Sequence, residues 1–243
     1  MESFAKMRAA GRLAAYILQY IEPYVRPGIS TNKLNQLCHD EIIRHNAIPA
    51  PLNYHGFPKS ICTSVNNVVC HGIPSDTEIL KDGDIINIDV TVILDGWHGD
   101  TSKTFAVGSI SKQAQKLLDV TYNAMMQAIE IVKPGVFLNK IGDVIQTIAD
   151  KNNLSVVRDF CGHGIGQEFH MDPHVLHFRS FSKGPKLKVG DFFTIEPMLN
   201  IGKHDVCILD DGWTAVTVDG SLSAQFEHTI GVTDNGVEIF TTI

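Results

Sequence analysis

The sequence predicts an α+β protein built from two similar halves. Three observations carry this: an internal repeat, a recurring order of helices then strands, and a strand that alternates apolar and polar residues. Val25-Arg-Pro-Gly-Ile-Ser-Thr-Asn-Lys-Leu34 returns as Val132-Lys-Pro-Gly-Val-Phe-Leu-Asn-Lys-Ile141, 107 residues on. Leu80-Lys-Asp-Gly-Asp-Ile-Ile-Asn-Ile-Asp89 returns as Leu187-Lys-Val-Gly-Asp-Phe-Phe-Thr-Ile-Glu196 at the same spacing of 107. Two separate matches at one spacing are hard to attribute to chance. Cys70-His-Gly-Ile73 also resembles Gly162-His-Gly-Ile165, 92 residues on, as a loop of different length in each half would give. The halves are about 1–108 and 109–243 of a single domain spanning 1–243. Such a duplication is either an old event with no function left at the join, or a pseudo-symmetric domain with its site where the halves meet, since pockets favour seams.

Each half opens with a helical pattern, at about 4–22 and 111–133, where Ala, Leu, Ile and Met recur at helical spacing. Pro-Gly ends it, because proline cannot continue a helix and glycine suits the turn. A second helix follows at about 31–46 and 137–153, with Ser30 or Thr31 as N-cap in the first half. Then come a His-Gly loop and β-strands.

Composition removes several function classes. Hydrophobic residues make up 44% and charged residues 19%, ordinary for a globular protein. The net charge of −7 leaves no basic surplus for a phosphate backbone, so no nucleic-acid specificity is expected. No stretch approaches the roughly 18 apolar residues of a membrane span, and no signal segment is evident. The 5 cysteines are odd in number and unclustered, which argues against a disulfide framework and for a reducing cytoplasm. No Gly-x-Ser-x-Gly elbow and no phosphate-cradling Gly-x-Gly-x-x-Gly are present.

The chemistry-bearing residues lie on strands. In Ile85–Ile93, Ile86, Ile88, Val90 and Val92 form one face, and Asn87, Asp89 and Thr91 the other. Asp95-Gly96 marks a tight hairpin. That turn sets Asp100 opposite Thr91, one diagonal step from Asp89 on the same face. Two like charges so placed are unfavourable unless a cation lies between them; the alternative is a solvated polar face. Glu196 takes the repeat position of Asp89, Glu227 supplies another strand carboxylate, and His163 sits in the glycine-rich Cys161-Gly-His-Gly-Ile-Gly166. Four carboxylates and one imidazole suit two divalent first-row metals better than a thiolate zinc site.

These residues and their framing strings resemble the methionine aminopeptidase family, in its type I bacterial form. The strings are His55-Gly-Phe-Pro-Lys-Ser60, Val69-Cys-His-Gly-Ile-Pro74, Asp95-Gly-Trp-His-Gly-Asp-Thr-Ser-Lys103, Cys161 to Gly166, Phe193-Thr-Ile-Glu-Pro-Met198 and Ser223-Ala-Gln-Phe-Glu-His-Thr229. The resemblance implies the pita-bread (creatinase/aminopeptidase) fold, in which a curved antiparallel sheet covered by helices cradles the site. It implies removal of the initiator methionine from nascent proteins whose second residue is small. Asp100 and Glu227 would bridge two metals; Asp89 would hold one, and His163 and Glu196 the other. A bridging water or hydroxide would attack the first peptide bond, with Glu196 as the proton-transfer residue. His71 and His170 would contact the scissile amide rather than metal. Tyr54, Phe57, Cys62, Phe169 and Trp213, with His71 at the edge, would form the methionine pocket; for Cys62, plain core packing is the competing reading.

Two departures from the family pattern stand out: Asn53 where glycine is expected, and Phe57 where tyrosine is frequent. Asn66, Val68 and Ser223 match a monovalent-cation site of relatives. The metals fitting these donors are iron, manganese, cobalt or zinc. Expected partners are newly made polypeptides and, transiently, the ribosome; a cytoplasmic monomer is the expected state. The remaining histidines, including His98, His174, His177 and His228, read as packing or surface residues, with His98 nearest the site. The competing functions are a proline-specific peptidase of the same fold, which normally carries a separate N-terminal domain, and a non-catalytic interaction module, which would lack ligands.

Overall fold

The computed structural model describes residues 2–243. Four helices are α1 (Glu2–Ile21), α2 (Thr31–Arg44), α3 (Lys112–Glu130) and α4 (Asn139–Asn152). The strands are β1 (Ile48–Pro49), β2 (Cys62–Val65), β3 (Val68–Cys70), β4 (Ile85–Leu94), β5 (Trp97–Ala106), β6 (Ser155–Val156), β7 (Gly162–Gly164), β8 (Met171–Val175), β9 (Phe192–Ile195), β10 (Met198–Asn200), β11 (Val206–Ile208), β12 (Ala215–Thr217), β13 (Ser223–Gln225), β14 (Glu227–Thr233) and β15 (Gly236–Ile239). The helix pairs fall where the repeat places them, with ends within a few residues. Ser30 is the cap of α2, its hydroxyl accepting from the Lys33 N–H; Ser111 caps α3 in the same way through Ala114. Both Pro-Gly turns put glycine at positive φ, 90° at Gly28 and 86° at Gly135.

The main sheet runs β1-β4-β5-β14-β9-β7-β8, with β2 also on β4 and β15 on β14, and every pairing is antiparallel. The β4–β5 hairpin has the register read from Asp95-Gly96: Thr91 faces Asp100, and Asp89 faces Ser102.

The sheet has one apolar face and one polar face, and each half covers its own apolar part. Ile86, Ile88, Val90 and Val92 pack with Leu13, Ile17 and Ile21 of α1 and Leu34, Cys38 and Ile42 of α2. Phe193, Ile195, Ile230 and Val232 pack with Leu117, Met125, Ile141 and Ile145 of α3 and α4. A fully buried Leu or Ile contributes about 1.5–3 kcal/mol, so these two cores hold the helices to one side and leave the other side to the polar residues. α1 approaches β5 closely enough that a Cβ at Gly99 would stand 2.4 Å from the Ala10 backbone, so only glycine fits there. The two halves meet in the main sheet where β5 pairs β14 over two rungs, Ser102 with Glu227 and Thr101 with His228, and again where β3 pairs β12. Among the described residues no helix is long and apolar enough to cross a membrane.

Candidate metal centre

Strand alternation brings the expected carboxylates together on the polar face, across the join. Asp89 and Ser102 are partners on β4 and β5, Glu227 is the partner of Ser102 on β14, and Asp100 is two residues from Ser102. Glu196 follows β9 immediately, on the face of Thr194. Across the join Thr101 pairs His228 and Ser102 pairs Glu227, so Asp100 and Glu227 flank the Thr101–His228 pair in the same way from either half. His163 enters from β7. The glycines beside it serve the neighbouring strands rather than a ligand: a Cβ at Gly162 would be 2.4 Å from the Thr194 carbonyl oxygen, and one at Gly164 2.2 Å from that of Asp172. They let β7 lie close enough to β9 and β8 to carry its imidazole inward.

Ligand-capable atoms of Asp100, His163 and Glu227 lie within 4.8 Å of one another, and all three residues are buried. His163 Nδ1–H donates to the Gly164 carbonyl at 3.1 Å, which turns Nε2 toward Asp100 Oδ2 (3.5 Å) and Glu196 Oε1 (3.6 Å). Asp89 Oδ1 is sealed from solvent and has no hydrogen-bond partner. An orphaned carboxylate oxygen beside three other carboxylates and one imidazole fits hard divalent cations. Hydroxyls hold these donors: Thr91 Oγ1 donates to Asp100 Oδ1 at 2.6 Å, and Thr194 Oγ1 donates to Glu196 Oε1 at 2.7 Å while accepting the His163 N–H at 3.0 Å. Gln225 Nε2 donates to Glu196 Oε2 at 3.3 Å.

Without cations the cluster is electrostatically crowded. Burial, then Asp100 and Glu196, push the Asp89 carboxyl well above its ordinary range; burial, then Asp100, do the same to Glu227. Burial raises Glu196 to about 7. Burial alone would lower His163, but Asp100 and Glu196 outweigh it and raise the imidazole to about 9. His71 and His170 go the other way. Burial lowers His71, and loss of water, then the neighbouring His163, lowers His170 to about 4, so both rings are neutral near pH 7.

One cavity of about 750 Å³ contains the rest of the expected set: Tyr54, Phe57, Cys62, His71, Phe169, His170 and Trp213, alongside all five candidate ligands. That volume is within the range of small-molecule sites. Phe57 packs edge-on to Trp213 at 5.2 Å, and Tyr54 tilts on Phe169 at 4.9 Å with its hydroxyl 2.8 Å from His170 Nδ1. Cys62 is both cavity wall and buried core. His71 has φ 57°, a left-handed backbone that costs a side-chain-bearing residue on the order of 1 kcal/mol. Asn53 has φ 66°, so asparagine keeps there a conformation that glycine favours.

Four further residues matter that the sequence reading passed over or set aside. His177 is buried and its Nε2 accepts the Glu196 N–H at 3.1 Å. His174 lines the cavity 3.5 Å from Cys161 Sγ, and Phe160 packs edge-on to His71 at 5.3 Å. His98 stacks on Phe169 at 5.6 Å and supports it from outside the cavity. Alternation on β7 and β8 pairs His174 with His163, a signal available once β8 is placed; His177, beyond the strand, offered none. At the proposed monovalent site, Ser223 N–H donates to the Asn66 carbonyl at 2.9 Å, and Ser223 Oγ is buried without a partner.

The fold and this cluster define a metallopeptidase: the chain belongs to metallopeptidase family M24, whose profile matches residues 5–234. Within it, the full-length likeness is to methionine aminopeptidases. The Rickettsia prowazekii enzyme is 59% identical, covering 99% of this chain and 93% of the relative. The Escherichia coli K12 enzyme is 55% identical, covering 99% and 91%. The crystal structure of the Rickettsia prowazekii enzyme superposes with a TM-score of 0.97, covering 99% of this chain and 97% of that one. The Thermotoga maritima methionine aminopeptidase, at 36% identity, also gives 0.97, covering 100% and 97%. Prolidase from Pyrococcus furiosus shares the fold alone, at 18% identity and a TM-score of 0.77, covering 100% of this chain and 64% of that one. The architecture is thus the pita-bread fold that the motifs imply.

Proposed function

We propose that this chain removes the N-terminal methionine from newly made polypeptides whose second residue is small. The observation that carries the reading is the single cavity in which an aromatic, thiol-lined wall adjoins the buried carboxylate–histidine cluster. Asp89, Asp100, His163, Glu196 and Glu227 would hold two divalent cations, iron, manganese, cobalt or zinc being compatible with these donors. When bound, such cations supply Lewis acidity and lower the pKa of water. Tyr54, Phe57, Cys62, Phe169 and Trp213 enclose the unbranched thioether side chain, which suits soft, aromatic surroundings. His71 and His170, neutral at working pH, hydrogen-bond the scissile amide and steady the charge that develops on its oxygen. Glu196, its carboxylate held by Thr194 and Gln225, carries the proton from the attacking water to the departing amine. A small second residue follows from the closeness of the scissile carbonyl to the pocket rim.

Asn66, Val68 and Ser223 would take a monovalent cation, and the buried, unpartnered hydroxyl of Ser223 supports that reading. The protein would act in the cytoplasm as a monomer, meeting nascent chains at the ribosome and engaging neither membranes nor specific nucleic-acid sequences. The test is kcat/KM on Met-, norleucine-, Leu- and Pro-Ala-Ser tripeptides, with bound metal counted by plasma mass spectrometry. Methionine is fastest, norleucine slower but measurable because one pocket group is worth about 1–3 kcal/mol, and leucine markedly poorer. Equal rates for methionine and leucine would refute the pocket; a preference for the proline peptide would make the chain a prolyl peptidase.

A further inference from the structure

We propose that His177 is a positioning residue for the reaction: its imidazole, held as a hydrogen-bond acceptor, fixes the Glu196 backbone so that the carboxylate enters the cluster at the correct angle. The inference rests on the reading of Glu196 as proton carrier. β9 ends at Ile195, and Pro197 follows Glu196. Proline has no N–H and restricts the residue before it, so the ladder stops here and the Glu196 N–H is the last donor to be placed. It donates to His177 Nε2 at 3.1 Å. Three further contacts fix the rest of Glu196: Thr194 on Oε1, and Gln225 Nε2 on both Oε2 and the carbonyl oxygen. Glu196 is therefore tethered at its amide, its carbonyl and both carboxylate oxygens, and His177 alone holds the amide.

The tautomer follows from this geometry. A proton on Nε2 would point at the Glu196 N–H, donor against donor, so the ring proton belongs on Nδ1. His177 Nδ1 is buried and has no partner. An unmet buried donor is costly, and an apolar side chain of similar size would fill the space without that cost. The imidazole is kept for what Nε2 accepts.

Two substitutions separate positioning from packing. In His177→Gln the amide oxygen stands near the place of Nε2 and still accepts. In His177→Leu nothing does. On Met-Ala-Ser with saturating metal, His177→Leu is expected to lower kcat about a hundredfold, the effect of a displacement on the order of 1 Å, with KM within about twofold. His177→Gln should retain kcat within about fivefold. Long-range nitrogen–proton NMR of the metal-free wild-type protein should show a neutral ring protonated at Nδ1 at pH 7. Equal losses in both variants, or a loss in KM alone, would overturn the proposal. So would an Nε2-protonated or charged ring, which decides the matter even if the leucine variant does not fold. A wild-type protein inactive on Met-Ala-Ser would instead overturn the functional reading, leaving the NMR result to judge His177.

Discussion

Replacing Thr194 with valine tests the idea that hydroxyls, rather than the ligands alone, build the metal centre. Thr194 is fully buried; its Oγ1 accepts the His163 N–H at 3.0 Å and donates to Glu196 Oε1 at 2.7 Å. Valine keeps the shape and removes both bonds. The His163 N–H is then left without a partner, at about 1–3 kcal/mol, and a carboxylate loses a bond worth about 1.5–3 kcal/mol. Taking about 3 kcal/mol for the two together, and about 2–4 °C per kcal/mol for a chain of this size, Tm falls by roughly 6–12 °C. Because both side chains it steadies are candidate ligands, metal affinity falls about 10–100-fold as well. Thr194→Ser keeps the hydroxyl and gives up one methyl, about 0.8 kcal/mol, so its affinity stays near wild type. The assays are thermal unfolding of the metal-free protein and calorimetric titration with Mn(II) or Co(II). Affinity in Thr194→Val within threefold of wild type, or serine and valine variants that behave alike, would refute the reasoning.

Asp100→Ala or Glu227→Ala removes a buried carboxylate from the tightest part of the cluster; turnover of a methionyl peptide should disappear while far-UV circular dichroism is retained. Activity within about tenfold of wild type, only roughly 1.4 kcal/mol in barrier, would sink the bridging role. His170→Ala should lower kcat far more than it raises KM, because the contact tightens in the transition state, and plasma mass spectrometry should find wild-type metal content; a parallel loss of metal would make His170 a ligand. Above about pH 7, where the histidines with lowered values (His71, His98, His170, His177 and His228) are mostly neutral folded or unfolded, stability of the metal-free protein should decline as pH rises to about 9. Glu196, raised to about 7, and His163, raised to about 9, both hold protons in the fold that the unfolded chain has released. Their contribution is present below the ordinary values of about 4.3 and 6.5 and is lost as pH passes the folded ones. Scanning fluorimetry in chelator should show the decline, and excess dication should flatten it; a Tm that climbs over this range contradicts the assignment.

Period and repeat made much of this site legible. Alternation in Ile85–Ile93 and the Asp95-Gly96 turn are local, short-range facts, and they were enough to set Asp89 and Asp100 on one face in the correct register. The repeat carried that face to Glu196. What stayed hidden depends on distant chain segments meeting. That Glu227 lies opposite Ser102 follows from β14 pairing β5, more than 120 residues away, a register no local pattern states. The reason for Gly162 and Gly164 likewise lay across the sheet, in the Thr194 and Asp172 carbonyls. His177 was invisible because it sits in irregular chain, where no periodicity tells which way a side chain turns. The aromatic wall came from motif resemblance alone, since Tyr54, Phe57, Phe169 and Trp213 belong to loops and turns that meet only in the folded chain.

The two rungs between β5 and β14 give the cations a mechanical part as well as a chemical one. Each half has its own main apolar core, and the halves are joined by the β5–β14 rungs, by β3 on β12 and by two smaller apolar clusters drawn from both. Asp89 and Asp100 come from one half; His163, Glu196 and Glu227 come from the other. Ions held by this set would cross-link segments between about 60 and 140 residues apart, closing loops long enough for a cross-link to remove much disorder from an unfolded chain. Unlike a disulfide, such a cross-link is made and undone by the free metal concentration, so scarcity would loosen the seam before it loosened either half. Amide exchange at Thr101 and His228 would then quicken first.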